Sequence, residues 1–161
     1  MAGLSKHGYW GPDDKCLLQS FELSTMNRLK GRTHVKRVFL LKRAAKTSQE
    51  NLQRIKDADV FSICLDKDLI VPIDSKGNCG VTNQGLVEQI HALDMQVYAY
   101  TFKNELTSLC WNYLGDVKNE LDKFYRLGFD GFVTDYPNTL RSFLDGQDCS
   151  QSMEVNRCTI T

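Results

Sequence analysis

The sequence contains no apolar run approaching the roughly 20 residues of a membrane-crossing helix, which excludes an α-helical span. Its 20 Lys and Arg balance 20 Asp and Glu, so no net field draws it to nucleic acid or to an anionic membrane. Histidine is scarce, with 3 copies at positions 7, 34 and 91, which leaves few imidazoles for proton transfer. The six cysteines, at 16, 64, 79, 110, 149 and 158, include no C-x-x-C pair, so the spacing of a thiolate metal site is missing. No Gly-rich phosphate loop is present either: Gly77 and Gly80 do not follow a strand in a G-x-G-x-x-G arrangement. That weighs against a small nucleotide-binding α/β domain. The first thirty residues hold no apolar stretch suited to a signal peptide. The expectation is a cytoplasmic chain with free thiols, because Cys16 and Cys64 sit inside apolar runs where a buried thiol is the common case.

What is present is a repeated alternation. Short apolar runs at 16–21, 35–41, 60–65, 96–101 and 129–134 are rich in Val, Ile, Leu, Phe and Tyr. Several lack strict polar alternation, which suits strands covered on both faces of a parallel sheet. Amphipathic stretches separate them. Residues 23–30 precede Gly31, and Thr47-Ser48-Gln49-Glu50 has capping-box spacing ahead of 49–56. Thr82 is placed to cap a helix through Leu93 whose apolar face is Leu86, Val87, Ile90 and Leu93. Residues 117–127 repeat the pattern and stop at Gly128, and Pro137 suits the first turn of a last helix ending near Asp145. Five strand–helix units predict an α/β fold with a parallel sheet. A doubly wound sheet and a portion of an eight-stranded barrel both fit; at 161 residues the chain is short of the roughly 250 of a whole barrel.

Three segments point further. Cys16-Leu17-Leu18-Gln19-Ser20-Phe21-Glu22 resembles the "QSF" strand of glycerophosphodiester phosphodiesterases. Val97-Tyr98-Ala99-Tyr100-Thr101-Phe102-Lys103-Asn104-Glu105 is similar to that family's penultimate barrel strand, with an aromatic–Thr pair, then a basic residue and Asn or Glu. Residues 127–137, Leu-Gly-Phe-Asp-Gly-Phe-Val-Thr-Asp-Tyr-Pro, resemble its closing "GxDGxxTDxP" strand. The three occur in the family's order, and the likeness covers about residues 15–145. It implies a partial (β/α)8 TIM barrel of five units, equivalent to the family's strands four to eight. Residues 1–14 then form an N-terminal loop and 146–161 a polar, disordered tail.

The resemblance also implies a chemistry: hydrolysis of a glycerophosphodiester to glycerol 3-phosphate and an alcohol, within lipid and glycerol metabolism. In the family this uses a His after each of two early strands, and a Ca²⁺ or Mg²⁺ ion held by a Glu-x-Asp pair and a further Glu. No such motif precedes Gln19, so the expectation is a truncated domain, inactive alone, with no catalytic residue, metal ligand or bound cation of its own. Substrate-binding expectations fall on Gln19 as a hydrogen-bonding group, Tyr100 as a packing surface for glycerol and Lys103 as a phosphate-attracting charge. Lys42 is a weaker phosphate candidate. Asp66 and Asp68 form a carboxylate pair too small for a hard-ion site. Glu22 and Asp135 are expected at helix starts, and Trp111 and Tyr113 are expected to pack on the sheet. Expected partners are a small glycerophosphodiester, if the barrel is completed, and further copies of the chain through exposed barrel edges. The alternative is a non-catalytic α/β fragment that binds a phosphate-bearing ligand or a partner.

Overall fold

The computed structural model describes residues 16–157, with side-chain surroundings through Gln147; the expected N-terminal loop, 1–14, lies outside the described residues. Five strands, β1 (Leu18–Ser20), β2 (Arg37–Leu41), β3 (Ser62–Asp66), β4 (Gln96–Phe102) and β5 (Gly131–Thr134), form one sheet in the order β1-β2-β3-β4-β5. All four pairings are parallel. Five helices alternate with them: α1 (Leu23–Leu29), α2 (Gln49–Asp57), α3 (Gln84–His91), α4 (Val117–Arg126) and α5 (Pro137–Arg157). This is the parallel α/β sheet that the alternating runs predict, in the half-barrel form that the resemblance implies.

The pleat divides the sheet. Phe39, Leu41, Ile63, Leu65, Val97, Ala99 and Phe102 join Met26, Leu52, Ile55, Leu86, Ile90, Leu121 and Phe124 from the helices in a single buried cluster. Alternate residues point to the opposite face, as the period of two requires. The register sets Leu40, Cys64, Tyr98 and Gly131 in one row across that face. Gly131 is needed there, since a Cβ would come within 2.7 Å of the Tyr98 ring.

The helices form for local reasons. Ser48 caps α2 by accepting the Asn51 amide at 3.4 Å, one residue later than the Thr47 spacing predicts. Asp116 caps α4 through the Lys118 amide at 2.8 Å. The helix expected to start at Thr82 starts at Gln84. The last helix runs on to Arg157 rather than ending near Asp145, so the stretch after Gly146 is helical through Arg157 instead of disordered. Gly146 alone costs a helix only about 1 kcal/mol, and neither Gly nor Pro follows it in residues 147–157.

Two polar clasps close the N-terminal ends of the strands. Buried Arg37 donates to the carbonyls of Met26 and Ala58, both at 2.9 Å, and pairs with Asp59 at 3.0 Å. It thereby ties the ends of α1 and α2 to β2. Asp130 accepts from the Val97 amide at 2.8 Å and lies 2.9 Å from His91 Nε2, which joins α3 to β4 and β5.

Candidate functional site

In a parallel α/β sheet, the loops after the strands supply the groups that meet a ligand. At that end a cleft of about 320 Å³ is lined by Arg43, Asp66, Lys67, Asp68, Tyr100 and Lys103, with Thr107 and Ser108 from the loop after β4. Two of the three expected substrate-binding residues, Tyr100 and Lys103, meet in it. Gln19 lies on β1, paired with Val38, and lines neither this cleft nor the larger cavity described below.

The polar groups of the cleft are largely engaged. The Tyr100 hydroxyl donates to the Leu41 carbonyl at 2.9 Å, and its ring meets Phe21 edge to face at 6.0 Å. Tyr100 therefore offers a ligand its ring rather than its hydroxyl. Burial, helped by Asp66 and Cys64, pushes its hydroxyl up to about 12. Asp66 accepts the Asp68 amide at 3.1 Å, and Asp68 pairs with Arg43. Burial raises the Asp66 carboxyl, while Arg43 and Lys67 pull it back. Lys67 turns inward, donating to the Ser108 carbonyl at 2.8 Å and to Glu120 at 2.7 Å. Lys103 is half-exposed, with Asp135 at 3.4 Å, the longest ion pair at this end and the easiest to exchange for a ligand anion.

Lys103, Asn104 and Glu105 have a shared role that their sequence does not announce. Each reaches the segment after β5: Lys103 to Asp135, Asn104 to the Thr139 hydroxyl at 3.0 Å, and Glu105 to the Tyr136 hydroxyl at 2.6 Å. That last bond holds the Glu105 carboxyl below the usual glutamate range. The penultimate and closing strand motifs are thus two halves of one clasp. Asp135, expected as a helix cap, serves that clasp.

Two more expectations need correction. Cys79 and Cys110 form a disulfide, so the thiols are not all free; Cys16 and Cys64 remain so. The two cysteines lie in separate loops, after β3 and after β4, which strand-like apolarity does not predict. Trp111, expected against the sheet, is 70% exposed, whereas Tyr113 is buried as expected. The Trp111 indole covers Gly77 and donates to the Lys76 carbonyl at 2.8 Å, so it packs on the neighbouring loop and strengthens the same junction.

The cleft does not match the chemistry of a divalent-ion phosphodiesterase. Among the described residues, no three His, Cys, Asp or Glu side chains gather at one point. Asp66 and Asp68 are held by an amide and a guanidinium. His34 precedes β2 and His91 faces Asp130, both at the opposite ends of the strands; His7 lies outside the described residues. Among the described residues, the donors do not fit the metal that the resemblance implies. No helix among the described residues is long and apolar enough to cross a membrane.

Comparison with known proteins agrees with this partial barrel. The chain is 27% identical over 135 residues to glycerophosphodiester phosphodiesterase GDPDL6 of Arabidopsis thaliana, covering 81% of this chain and 17% of that protein. It is 28% identical over 160 residues to Arabidopsis GDPD6, covering 87% and 42%. A crystal structure from Agrobacterium tumefaciens assigned to the glycerophosphoryl diester phosphodiesterases superimposes with a TM-score of 0.61 at 16% identity, over 91% of this chain and 49% of the other. The chain therefore spans half or less of each of these proteins. A profile of the Glycerophosphoryl diester phosphodiesterase family matches residues 2–139, and on that match the chain belongs to this family.

Proposed function

We propose that this chain is the substrate-gripping part of a glycerophosphodiester phosphodiesterase barrel, and that it does not turn over a diester by itself. The observation that carries this reading is the make-up of the cleft. It has an aromatic wall in Tyr100 and an exchangeable cation in Lys103, and no imidazole or three-carboxylate set among the described residues at that end. Phosphodiester hydrolysis needs charge stabilisation at the phosphoryl oxygens and groups that move protons. Lys103 supplies a point charge for phosphate and Tyr100 a flat apolar surface for glycerol.

The direct test is release of glycerol 3-phosphate from glycerophosphocholine by the purified, folded chain, with Ca²⁺ or Mg²⁺ and with chelator. The expected result is none, and metal-dependent turnover would overturn the reading. In the same preparation, glycerol 3-phosphate titrated by amide NMR should shift the Lys103–Glu105 segment, and Lys103→Ala should weaken that binding several-fold. Two subsidiary readings follow. The edges of β1 and β5, unpaired among the described residues, favour self-association, read by size-exclusion chromatography. The Cys79–Cys110 disulfide favours an oxidising compartment over the cytoplasm.

A further inference from the structure

The cations around the mouth fall into two groups. Arg43, Lys67 and Lys103 each have a carboxylate partner. Lys42, Lys46 and Arg54 have none among the described residues, yet all three border one cavity of about 620 Å³. That cavity lies beyond the Phe21–Tyr100 pair from the cleft, since Phe21 lines it and Tyr100 lines the cleft. Its floor is apolar: half-buried Leu23 from α1, buried Phe39 and Leu41 from β2, and buried Ile55 from α2. Its rim is basic, with Glu50 the one acid among its lining residues.

The rim is held in place by local bonds. Asn51 donates its side-chain amide to the Lys46 carbonyl at 2.7 Å, while its backbone amide meets Ser48. This fixes the 42–48 segment against the start of α2. Lys42 lies 5.0 Å over the Phe21 ring, which orients its ammonium at the opening rather than into bulk water.

We infer that this cavity is a second binding site, separate from the cleft, for a single-chain anionic amphiphile: an alkyl chain ending in phosphate or carboxylate. The chemistry is selective on both counts. A small anion alone would meet the exposed cations in high dielectric, where such attraction is weak and screened by salt. A neutral alkyl ligand would use the floor and leave three like charges uncompensated. An anionic head on an alkyl chain satisfies both, with its charge at the wet rim and its chain on Phe39, Leu41 and Ile55. The volume is within the roughly 300–1,000 Å³ of small-molecule pockets.

The site is tested on the whole chain by calorimetric titration, below micellar concentrations, with butyl, hexyl and octyl phosphate, octanoate, inorganic phosphate and octyl glucoside. Alkyl phosphates should bind with affinity rising roughly fourfold per methylene until the floor is filled. Inorganic phosphate and octyl glucoside should each be weaker than octyl phosphate by about tenfold or more, the loss of one of the two contact types. Preference between octyl phosphate and octanoate identifies the head group, and tight binding of either supports the site. The double variant Lys46→Ala/Arg54→Ala should lower octyl phosphate affinity about tenfold and leave glycerol 3-phosphate binding at the cleft unchanged. Ala45→Phe, which fills the cavity without removing charge, should block the alkyl ligands. Equal affinity for octyl phosphate and octyl glucoside, or octyl phosphate binding indifferent to both variants, overturns the inference. Because the cleft is read separately with glycerol 3-phosphate, failure here is distinguishable from failure of the phosphodiesterase reading.

Discussion

Replacing Lys67 by methionine isolates a carboxylate in the interior. Glu120 is 2% exposed, and its Oε1 has Lys67 as its partner at 2.7 Å. Its other oxygen, Oε2, has no hydrogen-bond partner among the described residues. Lys67→Met keeps the length of the side chain and removes the charge, so Glu120 must stay ionised in a poor solvent or take up a proton. Breaking one side of a buried pair costs about 3–5 kcal/mol, which for a chain of this size lowers Tm by roughly 10 °C. Removing both groups, as Lys67→Met/Glu120→Leu, takes away the stranded charge and should restore most of the loss. The sign of the pH dependence follows from burial, which raises the Glu120 carboxyl while Lys67 lowers it. Without Lys67 the folded-state value rises further. A raised carboxyl favours the folded chain below its unfolded value, and that advantage is lost as pH climbs through the folded one. The cost of Lys67→Met should therefore shrink below the ordinary glutamate value of 4.5. Urea denaturation of wild type, Lys67→Met, Glu120→Leu and the double variant at neutral and acidic pH measures all of this as a double-mutant cycle. A single-variant loss under about 1 kcal/mol, or a double variant no more stable than Lys67→Met, would refute the reasoning.

Arg37→Met should destabilise by about 3 kcal/mol in urea denaturation, because three carbonyls and Asp59 lose one buried donor. Gly131→Ala should cost about 1–3 kcal/mol, since the added methyl meets the Tyr98 ring, and Tyr98→Ala in the same chain should relieve part of the steric cost. Reducing the Cys79–Cys110 bond opens a loop with a sequence separation of 31, so Tm should fall by the equivalent of up to about 3–4 kcal/mol; unchanged melting with and without reductant would contradict this. Cys64, its thiol pushed by burial to about 12, should resist iodoacetamide in the folded chain and react only after unfolding, as peptide mass mapping would report.

The helix-facing half of the sheet was legible because burial on both sides leaves uninterrupted apolar runs, such as Val38-Phe39-Leu40-Leu41 and Ile63-Cys64-Leu65. Helix starts were legible to within a residue or two, since Ser48 and Thr47 offer nearly equivalent caps. The far end of α5 was not, because polar composition does not by itself separate a helix from a loop. One signal in the candidate site could have been read: Glu120 sits in the stripe Val117, Glu120, Leu121, Phe124 of α4, and a carboxylate on an apolar face needs a cation. Its partner Lys67 is 53 residues away, and pattern alone cannot join them. The same holds for Cys79 with Cys110 and for Arg43 with Asp68. Tyr100 and Lys103 could be picked out from their motif, but the Lys103–Asp135, Asn104–Thr139 and Glu105–Tyr136 contacts that give the motif its physical meaning required coordinates.

Sheet order here equals chain order, and that bears on how the molecule can be made. Each strand from β2 onward pairs with the strand that precedes it, so a nascent chain leaving the ribosome always has a finished template waiting for its next strand. Growth can be vectorial, with one sticky edge advancing toward the C-terminus and short loop closures at every step. The same order grades the folded molecule. β3, flanked by two strands on either side, should be the last segment to exchange its amide hydrogens, and β1 and β5 the first.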